Sequence, residues 1–238
     1  MNAMDYRKLI FCTSIFFVLA SFTPQFDKDS TKIVSKILTN RKVVALTFDD
    51  GPNPKTTPRV LAILEAKQVK ATFFVLGENI DKFPKVFAQE VIAGHEIGNH
   101  GYSHALLPKI SKTQIEDEIE TTANRIRTLA PTPTLFRPPE GKYDKNIIDI
   151  ANNYHYTIIL WSIDPQDWSS PPVNKVVDTV LNNIKPGSII LLHDGLYPLP
   201  TPEALGTIID RLKEQDYELV TVSELLKYYN DKPILTLN

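Results

Sequence analysis

Two carboxylates stand side by side, Asp49 and Asp50, where the apolar run Val43-Val44-Ala45-Leu46-Thr47-Phe48 gives way to Gly51-Pro52. Adjacent like charges repel, and burying either one without a partner is costly. A cation could take up that charge, and so could water in an ordinary Asp-Gly-Pro turn. Further along, in GNHGYSHALL, His100 and His104 are four residues apart, a spacing that lets two imidazoles converge on one ion from a turn or helix start. With Asp50 they form a set of two imidazoles and one carboxylate, suited to catalytic zinc or a similar divalent ion that keeps open positions. His95-Glu96 does not extend this set into a zinc-protease helix, because His95 lies five residues from His100 and Gly94 and Gly98 break the segment. His95 reads as a strand residue with a satisfied side chain, and His155 as a solvated loop or strand entry.

Three more stretches carry polar groups of the same kind. RPPEG is a stiff loop in which two prolines and Gly141 follow Arg137 and set a guanidinium beside the carboxylates. WSIDPQDW offers Asp164 and Asp167 with two large rings; Trp161 is expected to pack and Trp168 to stack on a sugar face. IILLHDG ends a buried strand in His193, a position suited to acid–base work.

What could hold these groups together is a regular alternation of strands and helices. Strands are expected at 42–49, 70–76, 95–100, 134–137, 156–163, 188–193 and 217–222. The first helix should be capped by Thr57 with Pro58 at its first position, burying Val60, Leu61, Ile63 and Leu64. Pro84 opens another, with Phe87, Val91 and Ile92 on one face, and Ser111 with Gln114 forms a capping box ahead of Ile115, Ile119, Ile126 and Leu129. Further helices fit 144–153, 172–184, 202–214 and 223–229. Strands that are apolar on both faces, alternating with amphipathic helices, indicate a parallel sheet covered by helices. The expected fold is α/β, a distorted, incomplete (β/α) barrel of about seven strands, with an open doubly wound sheet as the alternative. The unusual polar groups follow the first, third, fourth, fifth and sixth strands, and in a barrel those ends open on one face, where active sites sit.

The chain has 238 residues, 42% of them hydrophobic and 23% charged, with a net charge of −2. That balance offers no basic surface for nucleic acid. Arg7 and Lys8 precede the apolar run Leu9–Phe22, after which the sequence turns polar. This pattern reads as a signal peptide over 1–26, or as an uncleaved membrane anchor, and the run is short for a membrane span. Residues 27–41 form a lead-in and 42–238 a catalytic barrel, exported to the cell envelope or secreted and acting as a monomer. Cleavage after Ala20 would remove Met1, Met4 and Cys12, the chain's only sulfur atoms, so a metal in the mature chain must be held by nitrogen and oxygen.

TFDDGP, HGYSH, RPPEG, DPQDW and LLHD together resemble the polysaccharide deacetylases, family 4 of the carbohydrate esterases, in which the five motifs occur in this order; the resemblance spans roughly residues 42–222. It implies an enzyme that removes N-acetyl groups from a GlcNAc-containing polysaccharide such as peptidoglycan or chitin. Asp50, His100 and His104 would hold the metal, usually zinc, for which cobalt could substitute. Asp49 would be the base that deprotonates water, oriented by Arg137, and His193 the acid, tuned by Asp167. Trp168 and Leu191 would wall the acetyl pocket, with Pro139 and Glu140 beside the substrate. Gly101 stands where the family often has a Ser or Thr that braces the metal loop, and Glu140 where many members have Tyr. An O-acetyl esterase acting on xylan and a catalytically silent carbohydrate-binding barrel are the alternatives.

Overall fold

The computed structural model describes residues 33–230, so the expected export segment lies outside the described residues. None of the helices among the described residues is long and apolar enough to cross a membrane. In chain order the elements are β1 (Ile33–Val34), β2 (Val43–Asp49), α1 (Thr57–Ala66), β3 (Thr72–Val75), α2 (Gly77–Lys82), α3 (Pro84–Ile92), β4 (Glu96–Asn99), α4 (Lys112–Ile126), β5 (Leu135–Phe136), α5 (Lys145–Asn153), β6 (Thr157–Ile159), α6 (Val173–Asn183), β7 (Ile189–His193), α7 (Thr201–Glu214), β8 (Glu218–Val220) and α8 (Val222–Leu226). The strands run parallel in the order β1-β6-β5-β4-β3-β2-β7, with β8 paired to β2. One parallel bridge, Ile163 to Ile190, joins the chain beyond β6 to β7. The ring therefore closes through isolated bridges and not through a full strand pairing, as a distorted and incomplete barrel.

Alternation along β2 explains the site. Val44, Leu46 and Phe48 face the helices, in the cluster that includes Val60, Leu64, Ile208 and Leu212. Val43 and Ala45 face inward, in a cluster with Ile37, Phe74, Leu135, Ile159 and Ile189. The two-residue period puts Thr47 and Asp49 on that same inward face, at the end where the apolar filling stops. Along β7, Ile190 and Leu192 face the helices and Ile189 faces in, so Leu191 and His193 also point inward.

The structure departs from the sequence expectations in several places. The lead-in contributes β1, pairs Lys36 with Ser188 and buries Ile37 to 1%, so it plugs the base of the barrel. The cap of α1 falls on Thr56, which caps no helix amide because its hydroxyl donates to the Leu196 carbonyl, while Thr57 donates to Asp194. Ile92 is 84% exposed while Glu90 is fully buried. At 100° per residue, Ile92 lies well round from Phe87 and Glu90 stays on its face. Burial, with the charge of Asp194, pushes the Glu90 carboxyl well above the usual carboxylate range. Helix α4 ends at Ile126, leaving Leu129 half-exposed. Helix α2 and short 3-10 turns at Leu107–Lys109, Pro139–Gly141 and Asp167–Ser169 were not expected.

Candidate active site

A cavity of about 470 Å³ opens at the C-terminal ends of the strands, lined by Asp49, Asp50, His100, His104, Glu140, Trp161, Asp164, Trp168, Leu191, His193 and Leu196. Its size is that of a small-molecule site. Arg137 and Asp167 stand directly behind its wall, each bonded to a lining residue. Pro139 is buried and packs near Gly101 rather than among the lining residues. Trp161, expected only to pack, does both: its ring sits under Arg137 and also lines the cavity.

Asp49 and Arg137 form a buried ion pair, with Nη1 donating to Asp49 Oδ1 at 2.6 Å. The guanidinium is locked from every side. Nη1 also donates to the Thr47 hydroxyl (2.9 Å), Nε to the Ile159 carbonyl (3.1 Å) and Nη2 to the Leu160 carbonyl (3.2 Å). Its flat face lies 4.1 Å from the centre of the Phe74 ring. A permanent cation so placed keeps Asp49 an acceptor and leaves Oδ2 on the His100 side, 3.7 Å from its Nε2.

Across the cavity, the Asp167 carboxylate accepts four bonds: from His193 Nδ1 (2.8 Å), the His193 amide (2.8 Å), the Trp168 amide (3.0 Å) and the Thr201 hydroxyl. With Nδ1 tied to Asp167, the other ring nitrogen of His193 is the one left for the cavity. Burial opposes charge on this imidazole, but the hydrogen bond and charge of Asp167, with Asp49 and Asp50 beyond, lift His193 to about 9.

Asp50, His100 and His104 bring one ligand atom each within 4.8 Å of one another. Both imidazole Nε2 atoms stand 3.4 Å from Asp50 Oδ1, a buried oxygen with no hydrogen-bond partner. His100 Nδ1 lies 2.7 Å from the Arg137 carbonyl, an acceptor only, so Nδ1 carries the proton and Nε2 presents its lone pair in the neutral ring. Burial would raise Asp50, yet the adjoining imidazole of His100, with His193 and His104, draws it down to about 2. An ionised carboxylate and two imidazole nitrogens converging on a half-buried point are a fit donor set for a divalent cation.

Backbone strain helps to build this set. Asp50 (φ 71°), His104 (φ 61°) and Glu140 (φ 56°) adopt left-handed conformations that non-glycine residues seldom take. The loop that carries His100 and His104 is braced without a hydroxyl at 101. Glu118 of α4 accepts from the Tyr102 and Ser103 amides (2.7 and 2.8 Å) and from the Ser103 hydroxyl (2.6 Å). Gly101 itself has φ 82°, and its amide donates to Asn99 Oδ1 at 2.9 Å.

Sequence reasoning missed several supporting residues, Thr47, Asn79, Glu118 and Thr201, and assigned no role to Asp194. Asn79 donates to the Asp50 carbonyl (2.7 Å), and Thr57 donates to the fully buried Asp194. Burial pushes Asp194 up to about 7, with Asp50 and Asp49 adding to it against the Thr57 hydrogen bond. Gly51 leaves the room that Asp194 occupies, since a Cβ there would lie 2.5 Å from its Oδ1. None of these residues belongs to a spacing pattern. The strand-end position of Asp194 was the one available signal.

The family model described as "Polysaccharide deacetylase" matches residues 36–159. A peptidoglycan-N-acetylglucosamine deacetylase of Bacillus cereus is 41% identical over 192 residues, 79% of this chain and 90% of that protein. A chitooligosaccharide deacetylase of Bradyrhizobium sp. is 35% identical over 196 residues, covering 76% of this chain and 90% of its own. Among solved structures, a peptidoglycan N-acetylglucosamine deacetylase in complex with 4-naphthalen-1-yl-N-oxidanyl-benzamide superposes with a TM-score of 0.78 at 36% identity, covering 81% of this chain and 92% of the other.

Proposed function

Because the chain belongs to the polysaccharide deacetylase family, we propose that it is a metal-dependent hydrolase that removes N-acetyl groups from a GlcNAc-containing polysaccharide. One observation carries this reading: three converging donors that could hold a cation lie between a buried Asp–Arg pair and a buried His–Asp pair at a single cavity. Asp50, His100 and His104 would hold the ion, and zinc suits two imidazoles and a carboxylate. The ion's contribution is Lewis acidity, which polarises the acetyl carbonyl and acidifies water.

The chain's own residues do the rest. Asp49, aimed by Arg137, accepts the proton of the attacking water as its oxygen bonds to the acetyl carbon. Trp168 and Leu191 wall the acetyl group and Glu140 borders the sugar. His193 then passes its proton to the sugar nitrogen as the C–N bond breaks, giving acetate and a free amine. An amine leaves poorly unless protonated, so a histidine kept charged by Asp167 is able to serve an amide substrate.

The test is acetate release from chitooligosaccharide, peptidoglycan and acetylxylan, with and without chelator. Release from the first two that chelator abolishes and zinc or cobalt restores supports the reading. Release from acetylxylan alone overturns it in favour of an esterase. Export to the envelope is part of the same proposal, motivated by Arg7, Lys8 and the apolar run Leu9–Phe22. N-terminal sequencing should find secreted protein beginning at about residues 21–28. An intact N-terminus in a soluble cytoplasmic pool would overturn export.

A further inference from the structure

Beyond the cavity, the wall formed by Trp168 continues as Leu196 and Tyr197, and the three side chains are 50%, 49% and 54% exposed. They are not on a loose loop. Asn53 Nδ2 donates to the Gly195 carbonyl (2.9 Å) and the Thr56 hydroxyl to the Leu196 carbonyl. The Ser170 hydroxyl reaches the Pro198 carbonyl at 3.5 Å. Gly195 lies so close to Asp50 that a Cβ on it would come within 2.1 Å of the Asp50 carbonyl oxygen. The rim is thus tied to the segments that carry Asp50 and Trp168. Large apolar side chains fixed in contact with water beside a cavity mark a ligand surface, and aromatic faces suit the C–H face of a sugar.

At the end of this wall, the ammonium of Lys55 stands 4.7 Å from the centre of the Tyr197 ring. Nearby cations are already matched: Arg137 by Asp49, Lys142 by Glu140 and Arg59 by Glu203. Among the described residues, Lys55 has no carboxylate within ion-pair distance. The ring holds the ammonium in place without neutralising it. Inside the cavity the charged groups are already set against one another, Asp49 against Arg137 and Glu140 against Lys142, whereas Lys55 offers an unmatched positive charge at the outer end of the wall.

We propose that Leu196, Tyr197 and Lys55 form a second sugar subsite for a unit bearing a carboxylate, adjoining the N-acetylated sugar in the cavity. The preferred polymer is then an anionic, carboxylate-bearing glycan of the peptidoglycan kind and not neutral chitin. This inference rests on the deacetylase reading. In such a polymer the carboxylate can be a lactyl group on the sugar or belong to an attached peptide, and the experiment separates the two.

Wild type, Lys55→Glu and Tyr197→Ala are assayed on neutral chitooligosaccharide, on peptidoglycan strands stripped of peptide and on strands with peptides intact. Binding of the same glycans is measured in parallel by calorimetry. Lys55→Glu should raise the ratio of KM on carboxylate-bearing strands to KM on chitooligosaccharide by about 3- to 10-fold, an effect that shrinks with added salt. A rise confined to stripped strands assigns the lactyl carboxylate, and one confined to intact strands assigns the peptide. Tyr197→Ala should weaken binding of all three. An unchanged ratio with Lys55→Glu overturns the inference. If wild type turns over none of the glycans while Lys55→Glu still weakens anionic binding selectively, the deacetylase reading falls and the subsite stands.

Discussion

On one side of the cavity a carboxylate, Asp49, leans on a buried arginine; on the other a carboxylate, Asp167, leans on a histidine. The partner decides what each can do. Arg137 cannot give up its proton, so Asp49 is held as a bare acceptor with one oxygen engaged and the other turned toward His100. Both oxygens of Asp167 are occupied, by His193, Trp168 and Thr201, so it meets no substrate and instead keeps a proton on the imidazole. In the proposed reaction one side takes a proton and the other holds one until it is needed. The contrast comes from the cation set against each carboxylate, not from the carboxylates themselves.

The most severe way to break this comparison is Asp49→Asn, which preserves shape but cannot accept a proton. We expect kcat to fall by ~10²–10⁴-fold while bound metal, measured by elemental analysis, is retained. His104→Ala should do the reverse and cut bound metal. Unchanged metal content in that variant would remove His104 from the site. Loss of metal from Asp49→Asn would instead make Asp49 a ligand and collapse the distinction.

Removing the partner on the base side should unsettle the fold. Arg137→Leu leaves Asp49 buried and uncompensated, and denaturant unfolding should show a loss of ~3–5 kcal/mol. A loss near zero would mean that Asp49 finds water in the variant and that Arg137 is dispensable.

On the acid side the corresponding change is Asp167→Asn, read through pH. His193 is raised from 6.5 to about 9, so it is protonated below that value and the alkaline limb of the pH–rate profile should lie near 9. Losing the Asp167 charge moves this limb to lower pH. The same shift contributes stability that is complete below about 6.5 and is lost as pH rises through about 9, so the metal-free protein should weaken across that window. Asp167→Asn should flatten that slope. If the acidic limb moves instead, the two sides have been assigned the wrong way round.

The smallest expected effect falls between the two sides. Glu118→Ala removes the acceptor that gathers the Tyr102 and Ser103 amides behind His104. Metal affinity should fall by ~10-fold in a competition titration, with kcat of the fully loaded enzyme little changed. An unaltered affinity would show that the left-handed backbone at His104 holds without the brace.

Much of this site was legible because barrels concentrate function at strand ends. Asp49, Asp50, Arg137 and His193 each end an apolar run, which is conspicuous in a linear string, and His100 showed through its spacing to His104. The strand positions were legible for the same reason, but which residues face inward was not, because β2 and β7 are apolar on both faces. What could not be read were partners from distant segments with ordinary surroundings. Thr201 lies in a turn signal, Glu118 on a helix face that reads as solvent-exposed, and Asn79 in a helix too short to show a period. Ile92 was misjudged because an apolar side chain was assumed to face the core, although helical geometry places Glu90 there instead.

The sequence by itself determined the alternation of strands and helices, the polar groups that terminate them and the nitrogen and oxygen donors open to a metal. Those properties are local, carried by residue type and by spacings of a few residues. Only the tertiary structure decided which carboxylate faces an arginine and which a histidine, because Asp49 with Arg137 and Asp167 with His193 are contacts across 88 and 26 residues of chain. It likewise decided that Lys55 stands over Tyr197, a contact made only when the loops after β2 and β7 fold onto one another. Charge acts through space, so its consequences wait on the fold that sets the distances.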